Sequence, residues 1–388
     1  MATVDVEVAT VNDVIDAVEA LAPAIADRAP AIEAGRRVPA DLLDDLVRAG
    51  CFRAVRPRSH GGIGADLPGT LQIFETLARA DASTAWVVMI GSSSWIDLAG
   101  VPRESFDALF AGPDTITAGA FNPTGTITPA AGGGYQVSGR WSFASGCEHA
   151  DWIYGNCVEV GGGGSEHQLR IAVFAPDQVV IEDTWTVSGL CGTGSHHFRV
   201  EDVFVPANRT VVPLGDEPSL DSPVLRVPIV SFIGLAIASV ALGAAHGALD
   251  DILAIATGKV PLLAPAPLAA NPQFELEFAT ADTEFRAARA LLHEVARSAW
   301  DMAVAGEPFD TVQRARMRAA AVWVTERAAT VVDTAYRAGG GSSLYADCPL
   351  QRRLRDVHAI TQHFVVKRDT MTTAGAILAG QDVELMVF

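Results

Sequence analysis

Lysine is nearly absent from this chain, and positive charge is scarce throughout. Among 388 residues only Lys259 and Lys367 are lysine, and 28 lysines and arginines stand against 46 aspartates and glutamates, a net charge of −18. No run of basic residues occurs. Because a surface of this sign repels phosphate groups, we expect neither nucleic acid nor an anionic membrane as a partner.

Cysteine and histidine are too few and too scattered to predict a metal site. The cysteines are odd in number and form no Cys-x-x-Cys pair: Cys51, Cys147, Cys157, Cys191 and Cys348. His358 and His363 are five residues apart, so they do not share one helix face. The pattern therefore predicts no metal and no disulfide framework, and it favours a reducing, cytoplasmic location.

Signatures of nucleotide phosphate binding are missing too. No Gly-x-Gly-x-x-Gly opens a helix after a predicted strand, as nicotinamide-binding folds require. The glycine run at 161–165 predicts a hairpin loop, since it lacks the Lys-Ser/Thr of a phosphate-binding loop.

Residues 227–249 lack charge and could span a bilayer. Their glycine, alanine and serine content favours a helix buried in a bundle, with a membrane span as the alternative.

What the chain does contain is typical of a large globular protein. It is 49% hydrophobic and 19% charged, and its length allows two or three domains. Helical patterns fill both ends, and short strands separated by turns fill the middle. We therefore predict an α+β fold with a helical domain at 1–114, a β domain at 115–225 and a helical domain at 226–388.

Helical periodicity predicts helices at 11–26, 39–49, 67–98, 274–305 and 308–336. Asp81 and Ser83 mark a probable break within the third of these. The last two are amphipathic and predict a four-helix bundle.

One stretch in the β domain carries the strongest functional signal. Tyr135, Val137, Trp141 and Phe143 alternate with polar residues, which predicts a strand with one apolar face. Ala144-Ser145-Gly146 then breaks the pattern. An aromatic wall, a hydroxyl and a bare backbone at a strand end would suit a flat heterocycle. An ordinary sheet edge with core aromatics is the alternative.

A second block follows about fifty residues later. Residues 185–195 read Trp-Thr-Val-Ser-Gly-Leu-Cys-Gly-Thr-Gly-Ser and lead into a predicted strand at 198–206. Small residues allow close backbone approach to a ligand, and Thr193 and Ser195 offer hydroxyl groups. Alone, a Gly-Thr-Gly-Ser sequence is a weak signal.

Together the two blocks resemble the acyl-CoA dehydrogenase superfamily, and most closely its two-component, flavin-dependent monooxygenase branch, which includes hydroxylases of 4-hydroxyphenylacetate. The dehydrogenase segment runs Gly-x-Lys-x-Trp-Ile-Thr-Asn. Aligned with it, Phe143 takes the tryptophan position, and Ser145 takes the threonine position that bonds the flavin near N5. The resemblance extends over nearly the whole chain. It implies a helical domain, a central β-barrel or sandwich domain and a C-terminal four-helix bundle.

The resemblance also implies roles for individual residues. Catalytic roles fall to Ser145, His363 and Ser93, although many relatives have histidine where this chain has Ser93. Cofactor contacts are implied for Phe121, Asn122, Trp141, Phe143, Ser145, Gly146, Trp185, Thr193, Ser195, Lys259, Gly339 and Gly340. Simpler alternatives stay open for several: Asn122 as a turn residue, Lys259 as a cation at a helix end, Ser93 as a packing residue and His363 as a core histidine.

The implied activity is that of an oxygenase component supplied with reduced FMN or FAD by a separate flavin reductase. Oxygen would add at flavin C4a, and the hydroperoxide would hydroxylate an aromatic or polyketide-like small molecule or oxidise an amine. In relatives the turn at Gly339–Gly340 touches the flavin of a neighbouring subunit, so a homotetramer is implied.

Two other functions stay open at this stage. The first is a true acyl-CoA dehydrogenase, which needs a carboxylate to take a proton from the substrate. In many dehydrogenases it lies eight residues after the aspartate of an Arg-Asp pair. From Asp356 that position is Phe364, which cannot accept a proton, although His363 beside it could. The second alternative is a non-catalytic helical assembly protein on the same fold.

Overall fold

The computed structural model describes residues 10–161, 168–213 and 215–383. Five helices precede the sheet: α1 Val11–Gly35, α2 Ala40–Arg48, α3 Leu67–Ala80, α4 Ala82–Ser93 and α5 Arg103–Leu109. The strands are β1 Thr117–Ala130, β2 Gly134–Ala144, β3 Trp152–Glu159, β4 Leu169–Phe174, β5 Val180–Glu182, β6 His196–Pro206 and β7 Thr210–Val211. Five helices follow: α6 Ile229–Gly258, α7 Pro272–Ala305, α8 Thr311–Gly339, α9 Pro349–Ile360 and α10 Thr370–Leu378.

The order of helices, sheet and helices is the α+β architecture expected from the sequence. The proposed boundaries at 114/115 and 225/226 fall in the connections from α5 to β1 and from β7 to α6. Helix α1 runs nine residues beyond its predicted end, through Pro23 and Pro30. Most of the predicted hairpin loop at 161–165 lies outside the described residues.

The predicted break at Asp81 is the junction between α3 and α4. Asp81 is the N-cap of α4, and its carboxylate accepts hydrogen bonds from the backbone N–H and the hydroxyl of Thr84, each 2.8 Å long. A carboxylate there satisfies the otherwise free N–H groups of the first turn. Every residue of α4 from Ala82 to Met89 is buried, so the helix shows almost no amphipathic pattern in the sequence.

The β domain is a single seven-stranded mixed sheet with the order β5-β6-β2-β1-β3-β4-β7. Strands β1 and β3 pair in parallel, and the other pairs are antiparallel. Two irregularities matter for the site. Four residues of β1, 121–124, stand opposite one residue of β3, and two residues of β2, 142–143, stand opposite one residue of β6. Such bulges bend a strand and redirect its side chains.

Helix α6 lies at the centre of the C-terminal bundle. It is long and apolar enough to cross a membrane, but 83% of its most apolar segment is buried inside the protein. A side chain at Gly243 would approach the backbone oxygen of Glu75 to 2.2 Å, so glycine there permits close contact with α3. The burial agrees with the predicted bundle helix and accounts for its small residues.

Candidate active site

The end of β2 presents an aromatic side chain to solvent. Phe143 has a φ of 67°, the left-handed region that residues with a Cβ rarely adopt, and it lies in the bulge opposite β6. Alternation along the strand places Phe143 on the apolar face, yet this backbone turn leaves it 61% exposed. Its ring meets Trp185 edge to face, with centroids 6.1 Å apart. Non-glycine residues held in this conformation cluster at functional sites.

Two residues after Phe143, Ser145 begins a buried chain of three hydroxyl groups, whose other members come from the second sequence block. The Oγ atoms of Ser145 and Ser195 are 2.7 Å apart, and Ser195 Oγ is 2.7 Å from Thr193 Oγ1. Thr193 in turn donates to the carbonyl oxygen of Leu190 at 2.8 Å. Exposure falls from 8% at Ser145 to 3% at Ser195 and 1% at Thr193. Only Ser145 therefore stands at the open end, and the two residues predicted to contact a cofactor directly lie behind it.

Trp86 joins this chain from the N-terminal helical domain. Its indole N–H donates to Ser145 Oγ at 3.1 Å. Sequence reasoning missed Trp86 because it lies in a stretch of α4, Ala82–Met89, in which every residue is buried. A signal was present, since Trp86 precedes Ser93 by seven residues and two helical turns place both on one face.

His363 approaches the same point from the C-terminal domain. Its ring centroid is 5.7 Å from that of Trp86, and the ring of Phe364 stacks on the imidazole with centroids 4.9 Å apart. Burial lowers the pKa of His363 to about 4, so the imidazole is neutral near pH 7. Because Nδ1 accepts from the backbone N–H of Val365 at 3.3 Å, the proton of the neutral ring is on Nε2. His358 points elsewhere and bonds Asp333 at 2.9 Å.

The turn that ends the hydroxyl chain is fixed by helix α9. Asp356 accepts a hydrogen bond from Leu190 N at 2.6 Å, and Arg355 donates to the carbonyl oxygen of Ser188 at 2.6 Å. A Cβ at Gly189 would lie 2.1 Å from the carbonyl oxygen of Arg355, so only glycine fits there. Burial, and next the negative charge of Asp81, raise the pKa of Asp356 to about 7.

Other predicted cofactor residues surround this cluster. Trp185 donates its indole N–H to the carbonyl oxygen of Leu190 at 3.0 Å, which fixes the ring beside Phe143. Asn122 is exposed in the bulge of β1, and the carbonyl oxygen of Phe121 beside it accepts from Asn156 Nδ2 at 3.1 Å. Asn122 therefore lies in a bulged strand and not in the turn that was the alternative for it.

Trp141 occupies a different position from the one expected. It is fully buried, stacks on Phe198 at 4.8 Å and donates its indole N–H to the carbonyl oxygen of Asn156 at 2.7 Å. A Cβ at Gly125 would lie 2.2 Å from its ring and one at Gly155 2.5 Å. Glycines on the adjacent strand β1 and on β3, the strand beyond it, therefore make room for the ring. Its ring therefore packs in the core of the sheet, and its N–H already has a partner there.

Lys259, Gly339 and Gly340 form a second group at the ends of α6 and α8. Lys259 Nζ donates to the carbonyl oxygen of Gly339 at 2.6 Å, and a Cβ at Gly340 would lie 3.6 Å from it. The lysine thus stabilises the carboxyl end of α8 rather than that of its own helix.

Ser93, two turns along α4 from Trp86, donates its hydroxyl proton to the carbonyl oxygen of Met89.

The residues present fit a flavin ring. The exposed face of Phe143 offers an apolar wall, and Ser145 offers a hydroxyl at the strand end. Gly146, with a φ of 72°, leaves open space, because a Cβ there would meet its nearest atom, on Val87, at 3.5 Å. Among the described residues, no group of three or more His, Cys, Asp or Glu is placed to hold a metal ion.

Comparisons with known proteins identify the family to which the chain is related. Models of the acyl-CoA dehydrogenase N-terminal and C-terminal domains match residues 11–100 and 235–368. The chain is similar to indole-3-acetate monooxygenase from Pseudomonas putida, with 33% identity over 94% of each chain. It is also similar to the oxygenase component of an FADH2-dependent resorcinol hydroxylase from Rhizobium sp., with 32% identity over 88% of this chain and 87% of that one. The crystal structure of 3-HSA hydroxylase from Rhodococcus sp. RHA1 gives a TM-score of 0.89 at 27% identity and covers 97% of this chain and 99% of that one.

The protonation state of His363 is directly testable. In protein labelled with ¹⁵N-histidine, we expect the imidazole signal that disappears in His363→Asn to titrate near pH 4 and to show the Nε2–H tautomer above that pH. His149→Asn is the assignment control, because burial also lowers the pKa of His149 to about 4. A midpoint near 6.5, the ordinary value for histidine, would contradict the lowered pKa of His363.

Proposed function

This chain belongs to the flavin-dependent monooxygenases of the acyl-CoA dehydrogenase superfamily, and from that premise we propose how its residues act. The expected family and fold class are thereby confirmed. The protein is an oxygenase component that uses reduced FMN or FAD, and a partner flavin reductase is implied. When bound, the reduced flavin supplies the electrons that activate dioxygen.

The observation that carries the proposal is the meeting of Ser145, Trp86 and His363. These side chains supply a hydroxyl, an indole and a neutral imidazole, and Phe364 stacks beside the imidazole. A dehydrogenase needs a base to take a proton from its substrate. An imidazole whose pKa is about 4 is a weak base for that step. The same groups are well suited to hold a polar adduct of oxygen and exclude water around it.

Within this site each side chain has a proposed task. Ser145 would bond the flavin at N5, and the Nε2–H group of His363 would donate a hydrogen bond toward oxygen. Phe143 and Trp185 would form the wall beside the ring, and the Asn122 amide would bond its pyrimidine edge. The neutral state of His363 makes it a hydrogen-bond donor rather than a source of protons.

We propose an aromatic substrate that carries a hydrogen-bond donor. The similar proteins are named for indole-3-acetate and resorcinol, which bear an N–H and hydroxyl groups. Ser93 is partly exposed and has given its proton to Met89, so it can only accept a hydrogen bond from a substrate. An acceptor at this position favours a phenol O–H or an indole N–H as the substrate group.

We also propose that the enzyme is a cytoplasmic homotetramer. Lys259 and the Gly339–Gly340 turn would then meet the flavin phosphate of a neighbouring subunit. Apolar side chains exposed a few residues after Lys259 and after Gly340 support a subunit contact: Leu262 is 92% exposed, Leu263 97% and Leu344 73%. Exposed apolar side chains concentrated in one area indicate interaction surfaces.

The first test separates oxygenase from dehydrogenase. We expect that no acyl-CoA in a chain-length panel will bleach oxidised flavin bound to the protein under anaerobic conditions, because the site offers no strong base. Photoreduction of the same samples is the control that the flavin can be bleached. Rapid bleaching by one acyl-CoA, with its enoyl product detected, would contradict the proposal.

The second test concerns Ser145. Loss of a hydrogen bond to a buried partner costs about 1–3 kcal/mol, which corresponds to roughly 5- to 150-fold in a rate. Ser145→Ala should therefore release hydrogen peroxide faster, by a factor in that range, when reduced flavin on the protein meets oxygen without substrate. Ser239→Ala is the matched control, since Ser239 is also buried and donates to a carbonyl of its own helix, at Ala236. Equal peroxide release by the two variants would remove Ser145 from the reaction.

A further inference from the structure

The hydroxyl chain behind Ser145 has a direction that its last bond fixes. A hydroxyl has one proton to donate and two lone pairs to accept with. Thr193 lies 2.8 Å from the carbonyl oxygen of Leu190, which can only accept, so the single proton of Thr193 is used in that bond. Thr193 therefore accepts from its other neighbour, Ser195, at 2.7 Å.

The same count continues outward to the open end. Ser195 has given its proton to Thr193, so it accepts from Ser145 at 2.7 Å. The indole N–H of Trp86 occupies one lone pair of Ser145 at 3.1 Å. Ser145 is thus left with no proton to offer and one lone pair free.

We propose that this directed chain makes Ser145 a hydrogen-bond acceptor only, so that the site selects reduced flavin over oxidised flavin. Reduced flavin carries a proton on N5 and can donate to Ser145. Oxidised N5 has only a lone pair and finds no donor there. Thr193 and Ser195 are accordingly positioning residues that act through Ser145. The inference rests on the proposed function, because it takes Ser145 to lie at N5.

The carbonyl that sets the direction is held from several sides. Leu190 has a φ of 52°, an unusual conformation for a residue with a Cβ. Its N–H is bonded to Asp356 at 2.6 Å, and its carbonyl oxygen also accepts from Trp185 at 3.0 Å. Reversing the chain so that Ser145 donates outward would break the bond from Thr193 to this fixed oxygen. In a site that is almost fully buried, that bond has no water to replace it.

Thr193→Val tests the proposal, because it removes the hydroxyl and keeps the shape of the side chain. Ser195 would then be free to donate to Ser145, and Ser145 to oxidised N5. We expect the ratio of the dissociation constants of oxidised and reduced flavin to fall about 3- to 10-fold, the effect of one hydrogen bond. The midpoint potential of the bound flavin should fall by about 15–30 mV, since tenfold corresponds to about 30 mV for two electrons. Anaerobic calorimetry and redox titration measure the two quantities.

Three further variants make the test specific. Ser195→Ala breaks the chain at another point and should shift the ratio in the same direction. Thr193→Ser keeps the hydroxyl and should restore the wild-type ratio. Thr325→Val is the matched control, because Thr325 is buried and donates to a carbonyl, at Ala321, outside the chain; it should leave the ratio unchanged.

The outcomes separate this inference from the proposed function. Suppose that wild-type protein prefers reduced flavin, but that Thr193→Val and Ser195→Ala weaken the binding of both flavin forms equally or leave the ratio of dissociation constants unchanged. The inference of a directed hydroxyl chain is then wrong, and the proposed function stands. If wild-type protein binds neither form, or binds the oxidised form more tightly, both are wrong.

Discussion

The buried carboxylate of Asp356 accepts a hydrogen bond from the backbone N–H of Leu190, and the geometry of the whole site depends on this contact. The bond connects α9 of the C-terminal bundle to the turn between β5 and β6. Arg355 bonds the same turn at Ser188, and Gly189 lets the two backbones touch. The raised pKa of Asp356, about 7, shows that burying this carboxylate is costly. In return, the hydrogen bond from Leu190 to Asp356 fixes the position of the turn.

The fixed turn positions a candidate active site to which all three parts of the chain contribute. The sheet contributes Ser145 at the end of β2, the N-terminal helices contribute Trp86, and the segment after α9 contributes His363. The contacting residues are 59 or more positions apart in the sequence. The site therefore forms only when the three parts pack together in this arrangement. Helix α4, whose residues Ala82–Met89 are all buried, lies where these parts meet.

The sequence predicted the elements well and the contacts between them poorly, for a physical reason. Periodicity reports which face of an element is buried, so β2 and the long helices could be predicted. It does not report which distant residue lies against that face. Thr193 and Ser195 could be named as hydroxyls but not as a buried chain behind Ser145.

The aromatic residues show the same limit from both sides. Trp86 was missed because the buried part of α4 shows no alternation of apolar and polar residues that would mark one face. Trp141 was placed with the cofactor residues, because alternation cannot distinguish an aromatic that faces a ligand from one enclosed by glycines of neighbouring strands. Phe143 continues the apolar face in sequence, and only its positive φ turns it to solvent. The resemblance to a family supplied what the pattern could not, above all the expectation that Ser145 and His363 act in the site.

The central claim is that this chain transfers an oxygen atom from dioxygen by means of reduced flavin. The most direct measurement gives the protein chemically reduced flavin, ¹⁸O2 and a panel of phenols and indoles, followed by mass spectrometry of the products. The account predicts a hydroxylated product that carries one atom of ¹⁸O. A hydroxylated product whose new oxygen comes entirely from water would contradict it.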